Sequence, residues 1–398
     1  MNTFDFDRTV SRLGTDSVKW DAFEPDALPM WVADMDFPAA PCILNALQKR
    51  LDHGVFGYEK LPQSYFDAVT DWFARRHGWT GFGRENIIPT TGVIAAYSAC
   101  VKAFTKPGDK VIVMTPVYNC FEPVVRNNKC IPSCNSLLYR NGTYSIDFED
   151  LERRAADPET TCLLLCNPHN PAGRVWTREE LLRIGEICLR HGLLVVSDEI
   201  HCELTYPGHD YTPWGTLPPE MVLRSASCVS PTKAFNIAGI QIANIVAADP
   251  ALYQRIDRAI NENECCDVNV FGAAALVAAY NEGESWLDAL RTYLEGNARA
   301  VRDYFAAELP QYTLLPLEGT YLMWVDCRPA MKSGETLAGF SDRLTAHLRF
   351  NHKLIVSSGT LYGADGEGFI RLNIAAPRSS VLEGCRRLRD ALLTYSQS

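Results

Sequence analysis

Five short runs of near-continuous apolar residues, at 110–114, 161–166, 193–197, 221–229 and 241–246, constrain the fold more than any other feature of the sequence. None alternates apolar with polar residues as a strand with one wet face would. Such runs belong to strands covered on both faces, the environment of a mostly parallel sheet flanked by helices. The segments between them carry the complementary signal. Residues 177–190 read as a helix that opens with Thr177 and has Glu180 three positions on, a pair able to bond each other's backbone amides. Strands of this kind alternating with helices predict an α/β fold with helices on both faces of the sheet.

The flanks differ. Residues 1–45 are irregular, with Pro29, Pro38 and Pro41 around an apolar stretch, and are expected to lie as an extended arm on the rest of the chain. Helices are expected at 42–52 and 64–77, and another opening at Gly92 and running to about Phe104. After residue 285 the pattern changes: helices at 285–309, 337–350 and 380–395 alternate with strands at 320–326, 353–357 and 369–374. This predicts a large domain over 46–284 and a smaller α/β domain over 285–398, to which the arm 1–45 contributes.

Composition excludes several classes. A net charge of −10 and the lack of a basic run argue against nucleic-acid binding, and no stretch of 18 apolar residues suggests a membrane span. The first residues, Met1-Asn2-Thr3-Phe4-Asp5-Phe6-Asp7, show no basic leader followed by an apolar run, so a cytoplasmic location is expected. Seven of the 14 cysteines sit among aliphatic residues and none forms a CxxC pair, which fits free thiols in a reducing compartment. The histidines form no metal signature, and no metal is expected.

Open parallel sheets bind ligands beyond the carboxyl ends of their strands, and four polar stretches fall there. Gly92-Val93-Ile94 opens a helix after two threonines, where free amides and the positive helix end suit a phosphate. Asn167-Pro168-His169-Asn170-Pro171-Ala172-Gly173 follows the run ending at Cys166. Asp198-Glu199-Ile200-His201 follows that ending at Ser197, and Ser230 and Lys233 follow that ending at Val229. Each has a plainer reading: a helix cap, a stiff turn, an aspartate capping the next helix, a lysine whose stem snorkels to the surface. Their shared placement favours the joint one. A phosphate seat, an acid and an amine at one crevice describe a site for pyridoxal 5′-phosphate, which presents a phosphate, a ring nitrogen and an aldehyde.

At this point the chain resembles the fold-type I pyridoxal-phosphate enzymes of the class I/II aminotransferase superfamily. Within it, the sequence is similar to the cystathionine beta-lyase-like carbon–sulfur lyases, the MalY/PatB branch. Lys19-Trp20-Asp21, MWVADMDFP at 30–38, Phe56-Gly57-Tyr58, NPHNPAG at 167–173, SDEIHC at 197–202, TKAFNIAGIQ at 232–241 and GFIRLN at 368–373 carry the resemblance. It implies that Lys233 is the covalent anchor for the cofactor aldehyde and the base, with Asp198 on the pyridine nitrogen. Asn170 is implied at the phenolic oxygen and near substrate, Tyr118 against the ring, and Gly92, Val93, Ile94 and Ser230 around the phosphate. Tyr58 is implied to reach the neighbouring subunit's phosphate, which requires a homodimer with shared active sites. Arg371 is implied as the fork that binds the substrate α-carboxylate.

Two positions depart from ordinary aminotransferases and match the lyase branch. His201 stands where many have a tyrosine, and Gln241 where many carry a phosphate-binding arginine. His201 is either a cofactor contact or a packed neighbour. Trp31 either walls the substrate pocket or anchors the arm. Asp34 and Asp36 read as a carboxylate pair or, more simply, as a turn satisfied by backbone amides; Tyr321 and Trp324 read as packing on a strand face. The implied reaction is α,β-elimination from a sulfur-containing L-amino acid: L-cystathionine to homocysteine, pyruvate and ammonia, or L-cysteine to hydrogen sulfide. The alternative is an aminotransferase acting on an L-amino acid.

Overall fold

The computed structural model describes residues 4–262 and 267–397. Seven strands form the main sheet: β1 (Ile87–Thr90), β2 (Lys110–Thr115), β3 (Ile131–Ser136), β4 (Thr160–Cys166), β5 (Leu194–Asp198), β6 (Ser225–Val229) and β7 (Ala243–Val246). Their spatial order is β1-β7-β6-β5-β4-β2-β3. Only β7 runs antiparallel to its neighbours, so the carboxyl ends of the other six share one edge.

Strand alternation distributes the apolar side chains between two layers. Leu163, Leu165 and Val195 face the helix Arg178–Arg190, which buries Leu181, Ile184 and Ile187 on that side. Cys162, Leu164 and Val196 face the helix Val93–Phe104, which buries Ala96, Tyr97 and Cys100. A fully buried leucine of this kind contributes roughly 1.5–3 kcal/mol, and one face alone would leave half of each run in water. The expected cap forms as read: Thr177 Oγ1 accepts from the Glu180 amide at 3.2 Å, and Glu180 Oε2 accepts from the Thr177 amide at 2.9 Å.

A second sheet of four strands, β8 (Thr313–Leu314), β9 (Leu322–Asp326), β10 (Ser357–Ser358) and β11 (Phe369–Asn373), is entirely antiparallel in its pairings. It packs with the helices Glu284–Glu308, Phe340–His352 and Arg378–Gln397. The arm joins this region: Leu28–Pro29 pair in parallel with Leu354–Ile355, and the Asn373 amide donates to the Met30 carbonyl at 2.9 Å.

Several element expectations shift. The run at 221–229 is not one strand: Pro219 opens a short helix, Pro219–Val222, and the strand begins at Ser225. The strand expected at 353–357 divides, Leu354–Ile355 serving the arm and Ser357–Ser358 the second sheet. The helix expected at 337–350 spans Phe340–His352. Edge strand β3, Ile-Pro-Ser-Cys-Asn-Ser, has no apolar run to announce it; an edge tolerates Pro132 because it lacks one row of partners. No helix among the described residues is long and apolar enough to cross a membrane.

Candidate active site

A cavity of about 340 Å³ opens at the shared carboxyl edge of the main sheet. Gly92, Val93, Ile94, Tyr118, Asn170, Asp198, His201 and Lys233, named from the sequence, all line it. Each arrives on a short connection from a strand end. Tyr118 follows β2, Asn170 lies in the turn after β4, Asp198 is the last residue of β5, and Lys233 lies four residues beyond β6.

The seat for an anion is the start of the helix Val93–Phe104. Its cap, Gly92, supplies no side-chain bond, and its first intrahelical closure is from the Ala96 amide to the Gly92 carbonyl at 2.9 Å. The amides of Val93, Ile94 and Ala95 precede that closure, and these residues line the cavity. Ser230 does not line it. Its hydroxyl donates to the Ile242 carbonyl at 2.6 Å and accepts from the Thr232 amide at 3.1 Å, while Thr232 reaches the cavity wall.

At the other end the groups are ionisable and desolvated. Burial raises Asp198 to about 7, against the Ile200 amide that donates to Oδ1 at 3.1 Å. Burial, then Arg371, pushes Lys233 down to about 8, opposed by Asp34 and Asp198. The Lys233 ammonium donates to the Ala33 carbonyl at 2.5 Å. Burial, then Lys233 and Arg371, pushes His201 down to about 3, so its ring is neutral; Nδ1 has no hydrogen-bond partner. Burial likewise pushes the Tyr118 phenol up.

Arg371 lies behind the cavity wall, 4% exposed, in β11. Nη1 donates to Asn170 Oδ1 at 3.0 Å, Nη2 to the Trp31 carbonyl at 2.8 Å, and the guanidinium carbon sits 4.8 Å from the Tyr362 ring centroid. The bond to Oδ1 leaves the Asn170 amide group as a donor at the cavity. Trp31 does not line the cavity: its indole donates to the Lys19 carbonyl at 3.1 Å and packs edge-on to Phe23, as an anchor of the arm. Tyr58 is fully exposed, in a stretch from Leu51 to Lys60 that is exposed throughout.

Asp34 and Asp36 satisfy neither expectation. They are not a free carboxylate pair, and side-chain cations rather than backbone amides neutralise them. Asp36 accepts from buried Lys19 at 2.8 Å, from Arg12 at 2.9 Å and from the Trp20 indole at 2.8 Å; Asp34 accepts from Arg12 at 2.6 Å. Tyr321 does more than pack: its hydroxyl donates to the Ala33 carbonyl at 3.0 Å. Trp324 packs as read, stacked on Phe369 with ring centroids 5.3 Å apart.

This edge-of-sheet constellation has a family. The sequence profile of the aminotransferases of class I and II matches residues 27–388. The chain belongs to this family. Among class I/II relatives, it is 43% identical over 393 residues to cystathionine beta-lyase PatB of Bacillus subtilis (strain 168), covering 97% of this chain and 99% of that protein. It is 33% identical over 398 residues to protein MalY of Escherichia coli (strain K12), covering 98% and 99%. Cystalysin from Treponema denticola, solved with a pyridoxal 5′-phosphate cofactor, superposes with a TM-score of 0.93 at 34% identity, covering 98% of this chain and 99% of that one. The chain thus lies on the MalY/PatB branch of the class I/II family. The Ala33 carbonyl and Thr232 were not legible as cavity groups, because a backbone oxygen leaves no mark in sequence and threonine is common in turns.

Proposed function

We propose that this chain is a pyridoxal 5′-phosphate-dependent carbon–sulfur β-lyase that cleaves L-cystathionine to homocysteine, pyruvate and ammonia, and L-cysteine to hydrogen sulfide, pyruvate and ammonia. The observation that carries the reading is one cavity holding a desolvated lysine, a buried aspartate and an uncapped helix start. The full-length similarity to a cystathionine beta-lyase supplies the reaction class.

The residues fit the cofactor. Lys233 Nζ would hold the aldehyde carbon, the amides of Val93 and Ile94 the phosphate, Asp198 the ring nitrogen, Asn170 the phenolic oxygen and Tyr118 a ring face. The Ser230 hydroxyl is committed to the Ile242 carbonyl and bonded to the Thr232 hydroxyl at 2.7 Å, so the amides of the helix start carry the phosphate. Neutral His201 presents its ring to the same cavity. When bound, the cofactor supplies an electron-withdrawing ring that stabilises negative charge at the substrate Cα.

As a free amine, Lys233 Nζ would remove the Cα proton. With its affinity for protons lowered to about 8, it holds a useful fraction of free amine near neutrality. Asp198, buried in the cavity wall, would hold the ring nitrogen in its protonated form. Arg371 binds the α-carboxylate and so orients the Cα–H bond. Loss of that proton would let the thiolate leave Cβ, with water needed to form pyruvate and ammonia.

The active unit is a homodimer in which Tyr58 reaches the partner's phosphate seat. Support comes from the stretch 51–60, which is exposed throughout even though the centroid of the Phe56 ring lies 5.4 Å from that of Phe271. The arm and residues after 285 act as one small domain, a reading supported by their shared strand pairing. Unpaired cysteines among the described residues accord with a reducing cytoplasm.

Aminotransfer is the competing outcome of the same proton removal. Incubation with L-cystathionine and no keto acid separates the two. Elimination gives continued, equal release of pyruvate and homocysteine; accumulation of pyridoxamine phosphate with negligible thiol would install the aminotransferase instead. Borohydride should fix the cofactor to a Lys233 peptide, and labelling elsewhere would refute the anchor.

A further inference from the structure

Residues 31–37 cross the edge of the cavity as a strap fastened at both ends. At the front, Arg371 and Ser357 donate to the Trp31 carbonyl at 2.8 and 3.0 Å. In the middle, Asn373 Nδ2 donates to the Val32 and Asp34 carbonyls, both at 2.6 Å. At the back, Asn236 makes three bonds: Oδ1 accepts from the Met35 amide at 2.9 Å, and Nδ2 donates to the Met35 and Phe37 carbonyls at 3.0 and 2.7 Å.

Within that strap the Ala33 carbonyl has a different pair of donors. It accepts from Lys233 Nζ at 2.5 Å and from the Tyr321 hydroxyl at 3.0 Å. Both donors are set by unusual backbone. Asn236, three residues after Lys233, has φ 55°, a left-handed conformation that asparagine tolerates. Thr320, next to Tyr321 and buried, has φ 71°, which a β-branched residue rarely adopts. That conformation is held by the Thr320 amide on the Leu204 carbonyl at 2.6 Å.

We propose that Asn236 and Tyr321 are positioning residues that act on Lys233 through the Ala33 carbonyl, the seat of the lysine ammonium whenever the amine is not covalently engaged. The proposal rests on Lys233 being the reacting amine. A carbonyl oxygen accepts from an ammonium more strongly than from a neutral amine, so the seat favours the protonated form. The charges facing Lys233 are Arg371 on the second sheet, which opposes protonation, and Asp34 on the strap and Asp198 on β5, which favour it; His201 beside them is neutral. Asn236 keeps the oxygen within reach by tying down the strap behind it. Tyr321 shares the same oxygen and so weakens its hold on the lysine. The two side chains therefore act with opposite sign, which a merely structural role does not predict.

The test uses apoprotein and trace amine acylation across pH, with the Lys233 peptide quantified by mass spectrometry. In N236A the midpoint of Lys233 labelling should fall by about one pH unit, roughly tenfold more free amine at a fixed pH below the midpoint. In Y321F it should rise. With cofactor restored, the pH profile of kcat should move in the same directions while KM changes little. An unchanged midpoint in either variant, or shifts of the same sign, overturns the proposal. If N236A does not fold, Y321F decides alone, and an unshifted or lowered midpoint overturns it. Labelling needs neither cofactor nor turnover, so its failure is distinct from failure of the lyase reading, which the borohydride and product measurements decide.

Discussion

Arginine 371 offers the sharpest quantitative test of the site. Two of its nitrogens are already used, on Asn170 Oδ1 at 3.0 Å and on the Trp31 carbonyl at 2.8 Å, and buried Nε has no partner. A substrate carboxylate would add to this set. R371K keeps the charge but has one nitrogen on a flexible stem, which cannot serve Asn170, Trp31 and a carboxylate together. At least one charge-assisted bond is lost, about 1.5–3 kcal/mol. At about 1.4 kcal/mol per factor of ten, kcat/KM should fall roughly 10- to 150-fold. The assay is initial pyruvate release over a range of L-cystathionine at saturating cofactor, with thermal unfolding to show that the variant is folded. A second readout is competition by an amine that lacks the carboxylate, such as an S-alkylcysteamine, whose inhibition should be unaltered. A kcat/KM within twofold of the parent, or equal weakening of both ligands, would refute the carboxylate role.

Three further outcomes follow from the geometry. Asp198 is raised to about 7 from an ordinary 3.8, so folded apoprotein holds a proton that the unfolded chain has lost; its stability should decline as pH rises from about 4 to 7. Buried Glu199, also raised to about 7, adds to that slope, so D198N should flatten it in part, and a D198N pH–stability curve parallel to the parent's would contradict the assignment. Co-expression of Y58F with K233A should recover part of the activity that each lacks alone if Tyr58 and Lys233 serve one site from different chains; mixed dimers no more active than the parents would rule that out. D36N should cost about 3–5 kcal/mol of stability by leaving Lys19 buried with its closest anion gone, and a denaturation midpoint equal to the parent's would show the pair to be dispensable.

What was legible in the sequence was what depends on neighbours along the chain. The buried strands announced themselves because Leu163, Leu164 and Leu165 are apolar toward both layers, and the Thr177–Glu180 cap because its partners are three residues apart. The cavity residues followed from strand ends, which a parallel sheet gathers on one side. What stayed hidden depends on distant partners or on backbone. The cations that neutralise Asp34 and Asp36, Arg12 and Lys19, are ordinary residues in an irregular arm. Strand β3 is polar because it is an edge, and Met221 looked like the start of a strand until Pro219 set a helix there. Asn236 carries no signal of its three bonds, since it reads as one more turn residue.

The strap has a consequence for how the protein is made. It leaves the ribosome well before Arg371 and Asn373, which fasten it and lie 340 and 341 positions later. At roughly 5–20 residues per second, that gap lasts on the order of 20 to 70 seconds. Throughout it the main sheet and the loop bearing Lys233 emerge and have time to fold, while Trp31 and Val32 offer their carbonyls to water. The cavity therefore gains this wall only after the main sheet and Lys233 have emerged. A chain stalled short of Arg371 holds its lysine and the back of its strap, tied by Asn236, while the Trp31 end lacks its arginine.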